Sequence, residues 1–398
     1  MKKVLTIIII ILMVILIILT FQSNTIKYNT KMFLHNIFAI DNEIKYSNMI
    51  KVNNLSISTS DYYYSKLDEF EKQIYTSIIF AIKDYEEEVI ITGFNNNLIQ
   101  EELNKKIEYV MNNIFLDHPE IYYVSPEYTM YTSVENLFNG IIIKLNYIYD
   151  SKEKMLKEHE KINNEIDNIL LNIKGGNEYE LELAIHDYVA KNINYTIIKD
   201  EKLISKNSHN IYNPLIKKEG VCDGLSKTLQ ILLDKVGIES ILVIGKTDNV
   251  AHGWLMVNID NNWYNLDVTG NKYIADEKNN VEFVSHTYFN VTTESIKETH
   301  KFDNENLLPI ANSITNNYYE KEGYTLNINE NFSRNIKNIY ERQNDKLYIE
   351  FFSNYDKNII SKVLEELRKT SYINKQILKN NEKIKYYKQG KVYTIKNN

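Results

Sequence analysis

The sequence has 398 residues and a single cysteine, Cys222. One cysteine cannot form a disulfide within the chain, and it cannot supply a zinc or iron–sulfur site that needs several cysteines. The fold must therefore be held together by packing, for which hydrophobic residues supply 43% of the sequence. A lone cysteine is often just a small buried apolar residue, so its neighbours decide whether it has another role.

Length and composition predict a folded protein of several domains. The chain is longer than the usual domain of about 100–200 residues, so we expect two or three domains. With 25% charged and 12% aromatic residues, the composition excludes a disordered, collagen-like or multi-pass membrane protein. The formal net charge of -7 argues against nucleic acid as a partner, because phosphates require a basic face.

An apolar run, Val4–Phe21, follows Lys2-Lys3 at the amino terminus. As a helix it would reach about 27 Å, close to the roughly 30 Å hydrocarbon core of a bilayer. No small-residue cleavage pattern follows the run, so we expect an uncleaved signal anchor at 1–22 instead of a cleaved signal peptide. The positive-inside rule then predicts a single-pass cell-membrane protein with its folded part extracellular, or a secreted protein if the segment is cleaved.

Residues 23–60 are polar with scattered apolar positions, and we interpret them as a stalk. Beyond it, apolar residues at helical spacing predict two amphipathic helices, over 64–82 and 98–114. Three short β-branched and aromatic runs predict strands, at 89–92, 121–124 and 140–149. These elements predict an N-terminal α/β domain at 61–150.

A second domain is predicted at 151–303. Helical spacing over 181–193 and 225–236 predicts two helices joined by a loop at 195–220, and Gly237 is a typical helix end. Three successive strands are predicted after that, at 238–244, 253–259 and 263–268. Strand-like runs at 324–327, 347–352 and 391–395, with a helix over 359–367, predict a small C-terminal α+β domain at 304–398.

The segment Gly220-Val221-Cys222-Asp223-Gly224 brings the cysteine into the first turn of a helix. Free N–H groups and the positive end of the helix dipole stabilise a thiolate at that place. The same N–H groups can receive the oxyanion that forms when a thiolate attacks a carbonyl.

A base and an orienting carboxylate follow along the chain. His252 lies thirty residues after the cysteine at the start of a strand, and Asp267 lies fifteen residues further, at the end of the next strand. A hairpin between these strands would bring the carboxylate to the imidazole. Cys222, His252 and Asp267 therefore predict a nucleophile, a base and an orienter. His186, His209 and His286 compete for the base role, but no predicted hairpin joins them to an aspartate.

At these positions the sequence resembles the transglutaminase-like superfamily. The matching motifs are G-x-C-x-G at 220–224, H-x-W at 252–254, and W-Y-x-x-D-x-T at 263–269. The resemblance implies a papain-like α+β core, in which the helix of the nucleophile packs on an antiparallel sheet that carries the histidine and the aspartate. It also implies an upstream group that lines the oxyanion site, for which Tyr212 is the candidate. Trp254 is a further candidate for the oxyanion or substrate site.

The resemblance implies acyl transfer at an amide bond through a thioester on Cys222. Bacterial relatives are often hydrolases, so we expect hydrolysis of a peptide, protein or cell-wall amide more than crosslinking by a transglutaminase. A non-catalytic surface module that binds peptide or cell wall is the alternative from another class. No H-E-x-x-H, P-loop or EF-hand-like segment is present, so we assign no cofactor and no metal. The oligomeric state is left open.

Overall fold

The computed structural model describes residues 61–92, 100–133, 140–196, 206–276, 281–343, 348–354, 358–369 and 386–396. The predicted signal anchor at 1–22 and the predicted stalk at 23–60 lie outside these ranges. Among the residues described, no helix is both long and apolar enough to cross a membrane.

The helices, in chain order, are α1 (Glu69–Asp84), α2 (Gln100–Asp117), α3 (Lys152–Leu171), α4 (Glu178–Asn192), α5 (Tyr212–Ile216), α6 (Cys222–Lys235), α7 (Thr293–Ile296), α8 (Tyr318–Lys321), α9 (Phe332–Arg342) and α10 (Ile359–Lys369). The strands are β1 (Glu88–Thr92), β2 (Thr129–Ser133), β3 (Gly140–Lys144), β4 (Asn194–Tyr195), β5 (Glu219–Gly220), β6 (Ser240–Thr247), β7 (Val250–Ile259), β8 (Asn262–Leu266), β9 (Lys272–Asp276), β10 (Val281–Val284), β11 (His300–Phe302), β12 (Tyr348–Phe352), β13 (Tyr386–Gln389) and β14 (Val392–Lys396). This is a mixed α+β structure, as the sequence predicts.

The chain divides into two compact units, Met1–Glu160 and Lys161–Asn398. The division falls within α3. The second unit contains most of the second predicted domain, 151–303, and all of the third, 304–398. The boundaries predicted at 150/151 and 303/304 stay predictions.

The first unit contains a three-stranded sheet in the order β1-β3-β2. Both pairings are antiparallel, so the predicted α/β domain is instead an α+β arrangement. Helix α1 begins with a capping box in which Asp68 and Glu71 bond each other's backbone N–H groups. Its apolar stripe at helical spacing is fully buried, at Ile74, Ile78 and Ile82.

The strand predicted at 121–124 is wrong. Pro119–Ile121 form a single 3-10 turn, and Val124 makes one isolated bridge to Tyr147. All four residues of the run are buried, whereas a strand with one face on a core would alternate. The apolar character of this run reflects packing of an irregular segment, and Pro119 supplies the fixed φ that begins the turn.

The second unit is built around a four-stranded sheet in the order β11-β6-β7-β8, antiparallel throughout. Strands β7 and β8 form the predicted hairpin, and its turn residues Asp260 and Asn261 have φ values of 52° and 61°. Positive φ at both central turn residues matches the twist of a tight hairpin, and Asp and Asn tolerate it better than most residues.

Helix α6 packs on this sheet through a row of leucines that are fully buried, Leu225, Leu229, Leu232 and Leu233. Each contributes roughly 1.5–3 kcal/mol by leaving water, so the helix is firmly held. A further three-stranded sheet, β12-β14-β13, lies towards the carboxyl terminus. The strand predicted near Tyr324 is reduced to a single bridge between Thr325 and Phe352.

Candidate active site

Cys222 is the first residue of α6. The preceding residue, Val221, is the N-cap and has no side-chain hydrogen bond to the helix, so no side chain at that position competes for the free N–H groups of the first turn. The thiol is free and partly exposed. These conditions suit a thiolate that must meet a substrate.

The glycines of the motif permit close contacts around the cysteine. A Cβ on Gly224 would lie 2.1 Å from the carbonyl oxygen of Ser208, and a Cβ on Gly220 would lie 2.7 Å from Pro214. The absence of a side chain therefore lets the segment at 206–214 pack directly against the start of α6.

A hydrogen bond fixes α6 relative to the strand of the histidine. The hydroxyl of Ser226, one turn after Cys222, donates to the carbonyl of Gly253 at 2.9 Å and is buried. A Cβ on Gly253 would lie 3.4 Å from the Cα of Asp223, so helix and strand are already in close contact. The backbone positions next to Cys222 and His252 are thus held against each other.

His252 lies on β7 and meets the carboxylate of Asp267, which follows β8. The distance from His252 Nε2 to Asp267 Oδ2 is 3.0 Å. Burial lowers the pKa of His252, but the charge and hydrogen bond of Asp267, and the neighbouring thiol of Cys222, outweigh it and raise the pKa to about 10. Cys222, His252 and Asp267 therefore form a continuous chain of contacts.

Asp267 is 1% exposed and makes four hydrogen bonds. Its Oδ1 accepts from the N–H of Thr269 at 3.0 Å and from the Thr269 hydroxyl at 2.8 Å. Its Oδ2 lies 3.2 Å from His300 Nε2 as well as next to His252. Burial raises the pKa of Asp267, but the two histidines outweigh it and hold the pKa below its usual value, so the carboxylate is ionised.

Tyr195 is the aromatic residue in contact with the thiol. The two-residue strands β4 and β5 are parallel, with Tyr195 opposite Gly220, and this pairing brings the phenol to Cys222. Burial and the charge and hydrogen bond of Cys222 raise the pKa of Tyr195 to about 12. At neutral pH the phenol is a hydrogen-bond donor beside the nucleophile. No periodicity in the sequence signals a two-residue strand, so Tyr195 was not predicted.

The segment that carries these residues also matches a known protein family. Residues 169–268 match the family model of the Transglutaminase-like superfamily. This segment is a transglutaminase-like domain. A comparison with curated proteins gives no match.

Several solved structures resemble parts of the chain. One is a structure named as a TGase, with 18% identity and a TM-score of 0.27, over 48% of this chain and 54% of that one. Another is a candidate cysteine protease from Cytophaga hutchinsonii, with 14% identity and a TM-score of 0.23, over 37% of this chain and 63% of that one. A third is a candidate protease from Parabacteroides distasonis, with 14% identity and a TM-score of 0.22, over 35% of each chain. The chain thus spans less than two thirds of each of these structures.

Within the transglutaminase-like domain, Tyr212 and Trp254 occupy other positions than Tyr195. Tyr212 begins the short helix α5, where its N–H donates to the side chain of Asn210 at 2.8 Å. Trp254 is 0% exposed; its Nε1–H donates to Asn265 at 3.2 Å. Its ring lies beneath the His252 imidazole, with centroids 6.1 Å apart. Trp254 is thus buried and packs against the histidine, and its role at an oxyanion or substrate site stays a prediction.

The other histidines of the domain have carboxylate partners of their own. His209 Nδ1 lies 2.9 Å from Asp223. His186 and His286 both contact Asp187, at 2.9 and 2.8 Å. Sequence reasoning linked only His252 to an aspartate, because the other pairs are formed by contacts that no hairpin predicts. Both His186 and His286 are buried, which leaves them unsuited to receive a proton from a substrate.

Two groups of described residues are close enough together to hold a metal ion: His186, Asp187 and His286, and His252, Asp267 and His300. In the first, the Asn271 side chain accepts from the N–H of Tyr288 at 2.7 Å and contacts His186 Nε2 through its amide nitrogen at 3.0 Å. The amide must donate, so His186 carries its proton on Nδ1, the atom facing Asp187. That tautomer cannot ligate a metal from Nδ1.

The second group shares its atoms with the candidate triad. A metal bound there would occupy His252 Nε2 and Asp267 Oδ2, the two atoms that form the 3.0 Å contact. Metal binding and the orientation of His252 by Asp267 therefore exclude each other.

Proposed function

We propose that the chain is a cysteine-dependent acyl transferase that acts on an amide carbonyl. The observation that carries the proposal is the 3.0 Å contact of His252 with the buried Asp267, beside a free thiol at the amino-terminal end of a helix. A nucleophile, a base and an orienter in mutual contact are the minimum for this chemistry.

The reaction begins when the Cys222 sulfur bonds to the carbonyl carbon and the carbonyl electrons move to oxygen. In this proposal the helix N–H groups and the Tyr195 hydroxyl stabilise the oxyanion. The carbonyl then reforms, the C–N bond breaks, and the His252 imidazolium gives its proton to the departing nitrogen. An amine leaves and a thioester on Cys222 remains. Asp267 keeps its charge throughout and supports the imidazolium.

We propose water as the usual acceptor of the acyl group. Neutral His252 takes a proton from water as the oxygen attacks the thioester, a carboxylic acid is released and the thiolate is restored. The imidazole is partly exposed, with 14% of its side chain accessible, so water can reach it. A lysine amine in place of water would make the protein a transglutaminase, and this is the second candidate. The substrate we propose is an amide of a peptide, a protein or the cell wall.

The proposal is tested by iodoacetamide labelling of residues 61–398 across pH. We expect rapid labelling below pH 7 in the wild type and slow labelling in His252→Ala. His209→Ala is the matched control, because His209 also pairs with a carboxylate near the start of α6. Slow labelling that does not depend on His252 would instead favour the non-catalytic binding module.

The acceptor is tested separately with p-nitrophenyl acetate, which acetylates a reactive thiol. The acetyl-enzyme is allowed to decay in water with and without a primary amine, and the products are measured by mass spectrometry. Acetate as the main product at millimolar amine supports hydrolysis, whereas mainly acetamide supports transglutamination. Cys222→Ala gives the background.

We also propose that 1–22 anchors the protein in the cell membrane with its catalytic part outside. The support is the sequence pattern of Lys2-Lys3 followed by Val4–Phe21. Protease added to intact cells should digest a carboxyl-terminal tag on the full chain. Protection of the tag would overturn this orientation.

A further inference from the structure

Two imidazoles contact the same oxygen of the Asp267 carboxylate. His252 Nε2 lies 3.0 Å and His300 Nε2 lies 3.2 Å from the same Oδ2. His300 belongs to β11, at the opposite edge of the sheet from β8, which leads into Asp267. Asp267 itself follows one edge strand, and His300 reaches it from the other edge strand. The contact lies at the end of the sheet that carries His252.

His300 must be a donor in this contact. An ionised carboxylate only accepts hydrogen bonds, so the proton between the two groups is on His300 Nε2. The other ring nitrogen, Nδ1, lies 2.8 Å from the hydroxyl of Thr299, which can either accept or donate. Nε2 therefore carries a proton in both charge states of the ring.

The surroundings of His300 leave it little freedom. It is 2% exposed, and its ring packs against Trp254 and Tyr288, each with centroids 5.0 Å apart. Trp254 packs in turn beneath His252. The ring of His300 therefore has a single orientation, with Nε2 directed at Asp267.

Asp267 would otherwise be held less firmly. Thr269 fixes Oδ1 with two hydrogen bonds, but the side chain could still pivot about that oxygen and carry Oδ2 away from His252. A second donor on Oδ2 prevents that movement and adds to the stabilisation of a buried charge.

We propose that His300 is a positioning residue for the catalytic triad: its Nε2–H holds Asp267 Oδ2 in the place where it orients His252. This rests on the proposed function, since it assigns His300 a part in poising the thiolate. The ionisable groups that face His252 are then Asp267, Cys222 and His300, with Tyr195 beyond the thiol.

The test compares His300→Gln with His300→Asn. The amide nitrogen of Gln reaches about the position of histidine Nε2, whereas that of Asn reaches the position of Nδ1, so only Gln can donate to Oδ2. Loss of a hydrogen bond to a buried charge corresponds to about tenfold or more. We expect iodoacetamide labelling at pH 6 to slow at least about tenfold in His300→Asn, and to stay within about threefold of wild type in His300→Gln.

At a pH where every thiol is ionised, the labelling rate should be the same in all three proteins. This comparison separates a change in the ionisation of the Cys222 thiol from a general loss of structure. The proposal is overturned if both variants label like wild type at pH 6, or if Gln is as slow as Asn. Thermal unfolding of each variant is measured alongside.

A second measurement needs no variant of His300 and decides the matter even if His300→Asn does not fold. Proton NMR of residues 61–398 with ¹⁵N-labelled histidine should show low-field Nε2–H signals from His252, from His300 and from His286, whose Nε2 lies 2.8 Å from Asp187; His286→Gln should remove the last of these. His252→Ala should remove one and leave that of His300. Absence of a protonated Nε2 on His300 would overturn the proposal. If wild-type labelling is slow and independent of His252, the proposed function fails, whereas these signals still report the contact with Asp267.

Discussion

The phenol of Tyr195 lies against the thiol of Cys222, although the two residues belong to a strand and a helix that are 27 positions apart in the sequence. The contact depends on the parallel pairing of Tyr195 with Gly220. Burial and the adjacent Cys222 raise the pKa of this phenol to about 12, so Tyr195 keeps its proton through neutral pH. It can stabilise first the sulfur and then the oxyanion.

Tyr195→Phe should therefore slow acylation more than alkylation. Loss of an oxyanion donor costs on the order of 10²–10³ in rate, whereas iodoacetamide forms no oxyanion. We expect the burst of p-nitrophenol from p-nitrophenyl acetate to slow at least tenfold, and iodoacetamide labelling at its high-pH plateau to change little. Tyr212→Phe is the matched control. If Tyr212→Phe slows the burst and Tyr195→Phe does not, the oxyanion role belongs to Tyr212.

His252 should stay protonated through neutral pH. Burial lowers the pKa of His252, but Asp267, and after it Cys222, outweigh burial and raise the pKa to about 10. NMR of ¹³C-labelled histidine, assigned with His252→Gln, should show one imidazole that titrates near pH 10. In Asp267→Asn the effect of burial is left without its main opposing charge, so the pKa should fall towards or below the ordinary 6.5. An unchanged titration in that variant would show that Asp267 does not govern His252.

Gly224→Ala should destabilise the second unit. The new Cβ would lie 2.1 Å from the Ser208 carbonyl oxygen, and backbone cannot move aside cheaply, so we expect a loss of about 1–3 kcal/mol or more. Both tryptophans of the chain, Trp254 and Trp263, lie in this unit, so tryptophan fluorescence during urea unfolding reports on it alone.

The control for this change is Gly176→Ala. Its Cβ would lie 3.3 Å from the flexible carboxylate end of Glu180, which can move, so the urea midpoint should shift little. Equal shifts in the two variants would mean that the close contact with Ser208 is not what requires glycine at 224.

The stability of the second unit should fall as pH rises from about 6.5 towards 9. Burial lowers the pKa of His286, but Asp187 and Glu350 outweigh it and raise the pKa to about 9. A raised pKa means that protonated His286 stabilises the folded state, fully below its unfolded pKa near 6.5, and that this stabilisation disappears as pH passes the folded pKa.

The size of this effect should be on the order of 1–3 kcal/mol. Urea unfolding followed by tryptophan fluorescence at pH 6.5 and 9 would measure it. His286→Gln should be less stable than wild type at pH 6.5 and show a smaller loss between the two values. His209→Gln, at an exposed position, should keep the wild-type dependence. The same dependence in His286→Gln and wild type would contradict the assignment.

The sequence predicted those parts of the site that lie on regular elements. The strands predicted at 238–244, 253–259 and 263–268 correspond to β6, β7 and β8 within a few residues. Apolar and β-branched runs of that length can be recognised as strands in the sequence. The turn residues at 260–262 then predicted the hairpin that brings Asp267 to His252. The nucleophile helix was readable from its glycines and its leucines.

The remaining parts depend on contacts that leave no local pattern. Tyr195 reaches the thiol through a two-residue parallel strand, and His300 reaches Asp267 from a three-residue strand at the far edge of the sheet. Elements so short have no periodicity. The burial of Trp254 could not be predicted for another reason: its place in the motif marked it as near the site, but did not tell on which side of the imidazole the ring lies.

Strand β11 also determines when the thiol can become reactive during synthesis. A nascent chain that has emerged as far as Asp267 already contains Cys222 and His252, yet it still lacks the donor that fixes the carboxylate. On the proposed role of His300, the nucleophile therefore reaches its full reactivity only after His300 has emerged and β11 has paired with β6. Until then a growing chain carries its lone cysteine in a less reactive state, in which acylation of that cysteine is slower.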